Sequence, residues 1–173
     1  MELVTPAMRS IVGRPFRTTV SYPIDASAVR RWAIAVYYPE SFPMEFVSDG
    51  SSGGSPGPLV PEDFNPFAWS TASTIAAPGA IDADPDLVRA GACEHLLGVE
   101  PPDLRTGING GLAITYGDVG MTIGDVITST SAIADYRQRS GRLGEMLFTT
   151  TEDVWTKQTG ELVKTVRMNL IRY

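Results

Sequence analysis

Few side chains in this sequence suit proton transfer or metal binding, and they lie apart. There is one histidine and one cysteine, both in the segment Cys93-Glu94-His95. A tetrahedral zinc site wants three or four converging nitrogen or sulfur ligands, so no metal is expected. Serine-based nucleophilic catalysis would have to use His95, and no Gly-x-Ser-x-Gly elbow accompanies it. No phosphate-loop or dinucleotide glycine pattern implies a nucleotide cofactor. Glu40, Glu45 and Asp63 are conceivable bases, but spacing singles out none of them.

Other groups suit binding better than turnover. The run Pro61-Glu62-Asp63-Phe64-Asn65-Pro66-Phe67-Ala68-Trp69 is rigid and bulky. Phe64, Phe67 and Trp69 are either core beneath the preceding loop or the lining of an apolar, concave pocket. Asn65 between them can hydrogen-bond a ligand carbonyl or its own turn. Asn109-Gly110-Gly111 is either a turn or bulge entering a sheet, or a close approach of backbone to a ligand. Arg137, Arg139 and Arg142 crowd one hairpin turn. Such charges are commonly just solvated, and the sharper reading is a contact to phosphates or an acidic surface. His95 reads as a helix-face residue, Cys93 as a small buried hydrophobe, and Glu94 and Glu100 as surface.

These residues need elements to position them. Phe16–Tyr22 favours a strand and is closed by Pro23. Asp25 then caps a helix over Ala26–Tyr37, with Val29, Trp32, Ala33 and Val36 at helical spacing. Tyr38–Pro61 holds five prolines and the run Asp49–Ser55 and reads as a long loop. A turn or short helix is expected to run through Ser73. Asp84-Pro85 opens a second helix, which Gly98 stops. From Arg105 the hydropathic period changes to two: Leu112, Ile114 and Tyr116 alternate with polar or small residues, as do Val166, Met168 and Leu170. Val126–Tyr136, Leu143–Thr156 and Glu161–Ile171 form a meander with turns at Arg139–Arg142 and Lys157–Gly160. The expected fold class is α+β, in one domain over 1–173 with the long loop at about 38–61.

Composition narrows the function classes. The length allows one domain with a real core. A formal net charge of −6 argues against a general nucleic-acid binder. No run reaches the roughly 18–20 apolar residues of a membrane span, and Met1–Phe16 has no signal-type apolar stretch. With one cysteine, the expectation is a cytoplasmic protein.

The order of landmarks resembles a known family. Gly124-Asp125-Val126-Ile127 follows a strand and turn. Tyr136–Arg142, Phe148-Thr149-Thr150-Thr151-Glu152 and Gln158-Thr159-Gly160-Glu161-Leu162-Val163 come after it. Together they resemble the MaoC-like dehydratases, specifically the N-terminal or FAS1-like dehydratase domain. The resemblance is strongest over Asn109–Tyr173 and extends more weakly to Ile11–Val36. It implies the hotdog fold, a curved antiparallel sheet wrapped around a central helix. It also implies hydration of enoyl thioesters or dehydration of 3-hydroxyacyl thioesters carried on coenzyme A or acyl carrier protein.

One departure shapes the expectation. Catalytic members of that family carry an aspartate and a histidine about five residues apart after the first helix, acting on the substrate α-proton and water. Here the stretch is Val36-Tyr37-Tyr38-Pro39-Glu40-Ser41-Phe42-Pro43, with neither. The resemblance therefore implies a chain without its own catalytic residues, paired with an Asp/His-bearing hotdog subunit. Phe64, Asn65, Phe67, Trp69 and Asn109–Gly111 would then bind the acyl thioester. Tyr38, Glu40, Arg139 and Arg142 are weaker candidates, the arginines for coenzyme A phosphates or an acidic carrier helix. A homodimeric acyl-CoA-binding module without turnover and a hotdog thioesterase are the alternatives.

Overall fold

The computed structural model of the chain describes residues 2–41, 43–46, 60–67, 73–76, 85–142 and 144–173. Helix α1 spans Pro6–Ser10 and strand β1 Pro15–Val20. Helix α2 covers Ala26–Tyr37, and a single 3-10 turn lies at Met44–Phe46. Strand β2 is Ser73–Ala76 and helix α3 is Pro85–Leu96. Strands β3 to β6 are Gly107–Tyr116, Ile127–Gly141, Gly144–Lys157 and Leu162–Arg172. Among the described residues the strands form one antiparallel sheet in the order β2-β1-β4-β5-β6-β3. The α+β class expected from sequence is the one observed.

Helix α2 forms where the sequence signals it. The Asp25 carboxylate accepts from the amides of Ser27 at 2.5 Å and Ala28 at 3.2 Å, satisfying two of the orphan donors at a helix start. Val29 and Ala33, one turn apart, are buried, while Val36 is exposed. The helix ends at Tyr38, before a proline. Helix α1 was not expected. Its signal is Thr5-Pro6: the Thr5 hydroxyl accepts from the Met8 amide at 3.2 Å, and proline suits a first helical position.

Two strand boundaries differ from expectation. Segment Ser73–Ala76 is a short outer strand on β1 rather than the end of a turn or helix. Strand β4 continues to Gly141, five residues beyond Tyr136, so Arg137 and Arg139 lie on the strand and Arg142 alone of the three is in the turn.

Register places Ser129, Ser131, Ile133 and, after a bulge between Ile133 and Asp135, Tyr136 of β4 on one face. Trp155, Thr151, Thr149 and Leu147 of β5 share that face, with Lys164 and Arg172 of β6. It is the buried face. One apolar cluster there joins Leu3, Met8, Ile11, Phe16, Ile133, Tyr136 and Leu147, with Cys93 and Leu96 of α3 packed on it. A second joins Ile24, Val29, Phe64, Met121, Ile127, Trp155 and Val163. The opposite face carries polar pairs such as Arg167–Glu152 at 2.6 Å and Thr150–Asn169 at 2.6 Å.

Glu94 corrects a sequence expectation. It is 1% exposed rather than on the surface. Its Oε1 accepts from the Arg172 guanidinium at 2.5 Å and from the Tyr136 hydroxyl at 2.9 Å, and Arg172 also donates to the Thr149 hydroxyl at 2.8 Å. One carboxylate thus ties α3 to β4 and β6, and its arginine partner reaches β5. Burial, followed by the Glu94 charge, pushes the Tyr136 phenol well above its ordinary range. Gly91, at a kink in α3, leaves room for the segment that follows the helix and for the arginine: a Cβ there would lie 2.4 Å from the Pro101 Cβ and 3.1 Å from Arg172 Nη1. Burial likewise raises the Cys93 thiol to about 11, which keeps it protonated and unreactive at neutral pH.

The Gly124-Asp125 landmark has a structural cause. Gly124 takes φ +92°, which favours glycine. The Asp125 carboxylate accepts from the Thr122 amide at 2.7 Å, the Thr122 hydroxyl at 2.8 Å and Lys157 Nζ at 2.8 Å. The turn before β4 is thereby fastened to the end of β5. Burial pushes the Asp125 pKa up, but the hydrogen bonds from Lys157 and Thr122 outweigh it and hold the carboxyl below its ordinary value.

Two predictions follow from these buried charges. Arg172→Met should destabilise the protein by about 3–5 kcal/mol because it strands the Glu94 carboxylate. The double variant Glu94→Leu/Arg172→Met should recover most of that loss in urea unfolding, and failure to recover would show that the arginine acts through packing alone. Asp125 contributes stability above the unfolded carboxylate range of about pH 4, and that contribution is lost as pH falls through its lower folded value. Asp125→Asn should therefore lower stability at neutral pH and flatten its decline in acid; an unchanged acid limb would rule out this carboxylate as its source.

Candidate ligand-binding site

The Pro61–Phe67 segment folds as a tight turn against one end of the buried face. Its own polar groups shape it: the Phe64 amide donates to the Pro61 carbonyl at 3.0 Å, and the Phe67 amide donates to Asn65 Oδ1 at 2.9 Å. Three contacts fasten it to the sheet. Lys164 Nζ donates to the Glu62 carbonyl at 2.8 Å. The Tyr116 hydroxyl donates to Asp63 Oδ1 at 2.7 Å. The Phe67 ring meets Trp155 edge-on, with centroids 5.0 Å apart. Lys164 Nζ lies 4.2 Å from the Trp155 ring centroid, a cation–π geometry.

Cavities flank this turn on both sides. A cavity of about 170 Å³ lies between it and α2, lined by Tyr22, Ile24, Ala28, Arg31, Phe64 and Pro66 among others. On the sheet side, a space of about 30 Å³ is bordered by Glu62, Tyr116, Met121 and Val163. A wider cleft of about 410 Å³ shares Tyr116, Gly117 and Val119 with that space and adds Asp118, Glu161 and Leu162. Gly117 sits tight against β6: a Cβ there would lie 2.2 Å from the Leu162 carbonyl oxygen.

The electrostatics of the site are uneven. Burial lowers the Lys164 amine below its ordinary pKa, while the nearby Asp63 and Glu62 act in the opposite direction. The hydrogen bond to Asp63, followed by burial, raises the Tyr116 phenol to about 12. Phe64, Phe67 and Trp155 supply an apolar wall, Lys164 supplies N–H donors, and the single Tyr116 hydroxyl proton is already given to Asp63. This arrangement suits holding an apolar group that ends in a hydrogen-bond acceptor.

The sequence candidates do not gather in one place. Phe64 is 2% exposed and lines the 170 Å³ cavity. Phe67 is half-buried, and Asn65 uses its side chain within the turn. Trp69 lies outside the described residues. Asn109, Gly110 and Gly111 form a bulge in β3: Asn109 Oδ1 accepts from the Gly111 amide at 2.8 Å, and a Cβ on Gly110 would meet Ile171 at 2.8 Å. Through Leu170 this bulge aligns with Thr149 on β5. Thr149 is six residues from Trp155, roughly 20 Å along a strand. Arg139 stands over the Phe148 ring at 5.7 Å, and Arg142 is exposed at the β4–β5 turn, farther still from Trp155. Arg137 is neutralised by Asp135 at 2.8 Å. Tyr38 is 81% exposed, and Glu40 is exposed beside it.

Sequence reasoning missed Lys164, Trp155 and Tyr116 as site residues. The signal for Lys164 was available. Val166, Met168 and Leu170 alternate toward the buried face, and counting back two residues puts a lysine on it. A charged residue at an apolar position of the alternation must find a partner when it is buried, as Arg172 does on the same face, and so calls for an account of its own.

Comparisons with known proteins agree with the fold. A family model described as FAS1-like, dehydratase domain region, matches residues 10–166. No curated protein matches the sequence. A chain of the ChsH1-ChsH2 complex from Mycobacterium tuberculosis superposes with a TM-score of 0.66 at 16% identity, covering 96% of this chain and 89% of that one. A MaoC-like dehydratase from Rhodospirillum rubrum gives 0.53 at 13% identity, over 94% and 92%. The C-terminally truncated HadBC (3R-hydroxyacyl-ACP dehydratase) complex, also from Mycobacterium tuberculosis, gives 0.54 at 16% identity, over 93% and 96%. At these identities the likeness is one of fold.

One test of the site concerns its tyrosine. Asp63→Asn should bring the Tyr116 titration down from about 12 toward the ordinary phenol range, seen as an earlier tyrosinate absorbance rise than in the unaltered protein. An unchanged titration would mean that the Tyr116–Asp63 bond does not persist in solution.

Proposed function

The chain belongs to the FAS1-like dehydratase domain family, with a MaoC-like hotdog fold, and on that premise we propose that it is the acyl-binding, non-catalytic subunit of an enoyl-thioester hydratase or 3-hydroxyacyl-thioester dehydratase. The observation that carries this reading is the stretch after α2. Val36–Pro43 offers no aspartate or histidine; its one carboxylate, Glu40, and Tyr38 are exposed, and the half-buried Tyr37 packs against Phe46. Abstraction of an α-proton needs a base within hydrogen-bond reach of the substrate carbon. The buried carboxylate of α3, Glu94, is engaged by Arg172 and Tyr136. A partner hotdog subunit would bring the missing pair.

Strand β3 supports a partner at the sheet edge. It is exposed along its whole length, and Ile108, Leu112 and Ile114 stand out as large exposed apolar side chains on it. Edge strands of this kind are commonly covered by another chain. On this reading the acyl group lies against Phe64 and Phe67, and Asn109–Gly111 and the Arg139–Arg142 hairpin contact the thioester arm or its carrier. No described helix is long and apolar enough to cross a membrane, which fits a reaction on a soluble thioester in the cytoplasm.

Reconstitution tests the reading. The purified chain alone should hydrate crotonyl-CoA feebly or not at all. A MaoC-like chain bearing the Asp/His pair should co-elute with it and raise the rate at least about 100-fold, the usual worth of a general acid–base pair. Full activity of the chain by itself would overturn the subunit role and direct attention to Glu40. Saturable acyl-CoA binding without turnover in any pairing would favour a binding module instead.

A further inference from the structure

The buried face carries two nearly inaccessible cations, and the fold treats them differently. Arg172, 1% exposed, is paired with the Glu94 carboxylate. Lys164, 4% exposed, has no carboxylate partner among the described residues. One of its N–H groups goes to the neutral Glu62 carbonyl, and the Trp155 ring lies beside the ammonium. Withdrawing an ammonium from water is unfavourable unless acceptor oxygens replace the lost hydration. A neutral carbonyl and a ring face do this only in part.

A space of about 30 Å³ is lined by Glu62 and Tyr116, the two residues that the ammonium meets at 2.8 Å (the Glu62 carbonyl) and 5.8 Å (the Tyr116 ring centroid), and by Val163, its neighbour in the chain. It has room for about one water-sized oxygen, and it shares a wall with the wider cleft at Tyr116–Leu162. Charge then selects the occupant. Glu62, Asp63, Asp118 and Glu161 stand around that end of the sheet and repel phosphate or carboxylate groups. A neutral carbonyl oxygen accepts from the ammonium without that repulsion.

We propose that Lys164 is a binding residue for the neutral carbonyl oxygen of a ligand that enters through the Tyr116–Leu162 cleft. Resting on the reading given under Proposed function, that oxygen is the thioester carbonyl of the acyl group. The direction of the amine's titration is consistent with the geometry, because burial lowers it and a bound acceptor would raise it again.

The composition of the chain provides a direct test. It has two lysines, Lys157 and Lys164. This chain labelled with isotopic lysine therefore gives two side-chain NMR signals. Lys157, held by Asp125 at 2.8 Å, serves as the internal reference, and Lys157→Arg assigns the pair without touching the site. Titration with hexanoyl-N-acetylcysteamine should move the Lys164 signal, raise its apparent pKa and leave Lys157 in place. Lys164→Met should weaken that binding about tenfold or more, as expected for a hydrogen bond to a charged group, with Lys164→Arg falling between. If Lys164→Met does not fold, the unaltered protein decides alone. Thioester binding, seen as broadening of the probe's own lines, with an unmoved Lys164 signal would overturn the proposal while leaving the acyl-binding role standing. A Lys164 shift with hexanamide but no thioester binding would sustain the carbonyl site and remove the thioester reading. A shift with hexanoate equal to that with hexanamide would overturn the choice of a neutral acceptor.

Discussion

The ion pair between Glu94 and Arg172 organises the fold. It joins a helix to the last strand of the chain across 78 residues, and Tyr136 and Thr149 complete it from β4 and β5. A charge pair this deep is costly to desolvate and stabilises only when its geometry and its extra hydrogen bonds are satisfied together. That makes the arrangement close to all-or-none. When α3 sits correctly, Cys93, Leu96 and Leu97 cover the apolar cluster around Ile133 and Leu147. A misplaced helix would bare both the cluster and a lone carboxylate. The polar network therefore selects one docking of the helix among those that would bury similar apolar area.

The opposite end of the buried face is organised by the turn at Pro61–Phe67. Phe64 enters the second apolar cluster, and the sheet contributes Trp155 and Lys164. The two ends thus differ in kind. One is closed by a neutralised charge pair, and the other ends in a cation backed by an aromatic ring and bordered by space. Such a division separates the end of the buried face that fixes the helix from the end that holds the candidate site.

Much of this was legible in the sequence where the signal is local. Asp25 before an alanine-rich run, Gly98 after an apolar stripe and the period of two from Arg105 onward each act over a few residues, and the elements they announce were found. What escaped depends on partners distant in sequence. A glutamate on a helix looks the same whether it faces water or an arginine 78 residues away. The strand at Ser73–Ala76 exists because β1 offers it an edge. Phe64 and Phe67 were readable as apolar. That they pack on the Trp155 ring that Lys164 also meets follows from register, which the alternation of β6 implies but which acid and base residue types alone do not reveal.

The bulge at Asn109–Gly111 has a consequence for recognition between chains. It interrupts the regular backbone of the outermost strand, and Gly111 there takes φ +128°. A strand adding to this edge meets even spacing from Leu112 to Tyr116 and a displaced residue beyond it. A long flat strand, such as one in an aggregating chain, cannot continue past that step. A chain whose own edge is short, or carries a compensating irregularity, can. Any strand that adds to this edge therefore has to match its step before side chains come into play.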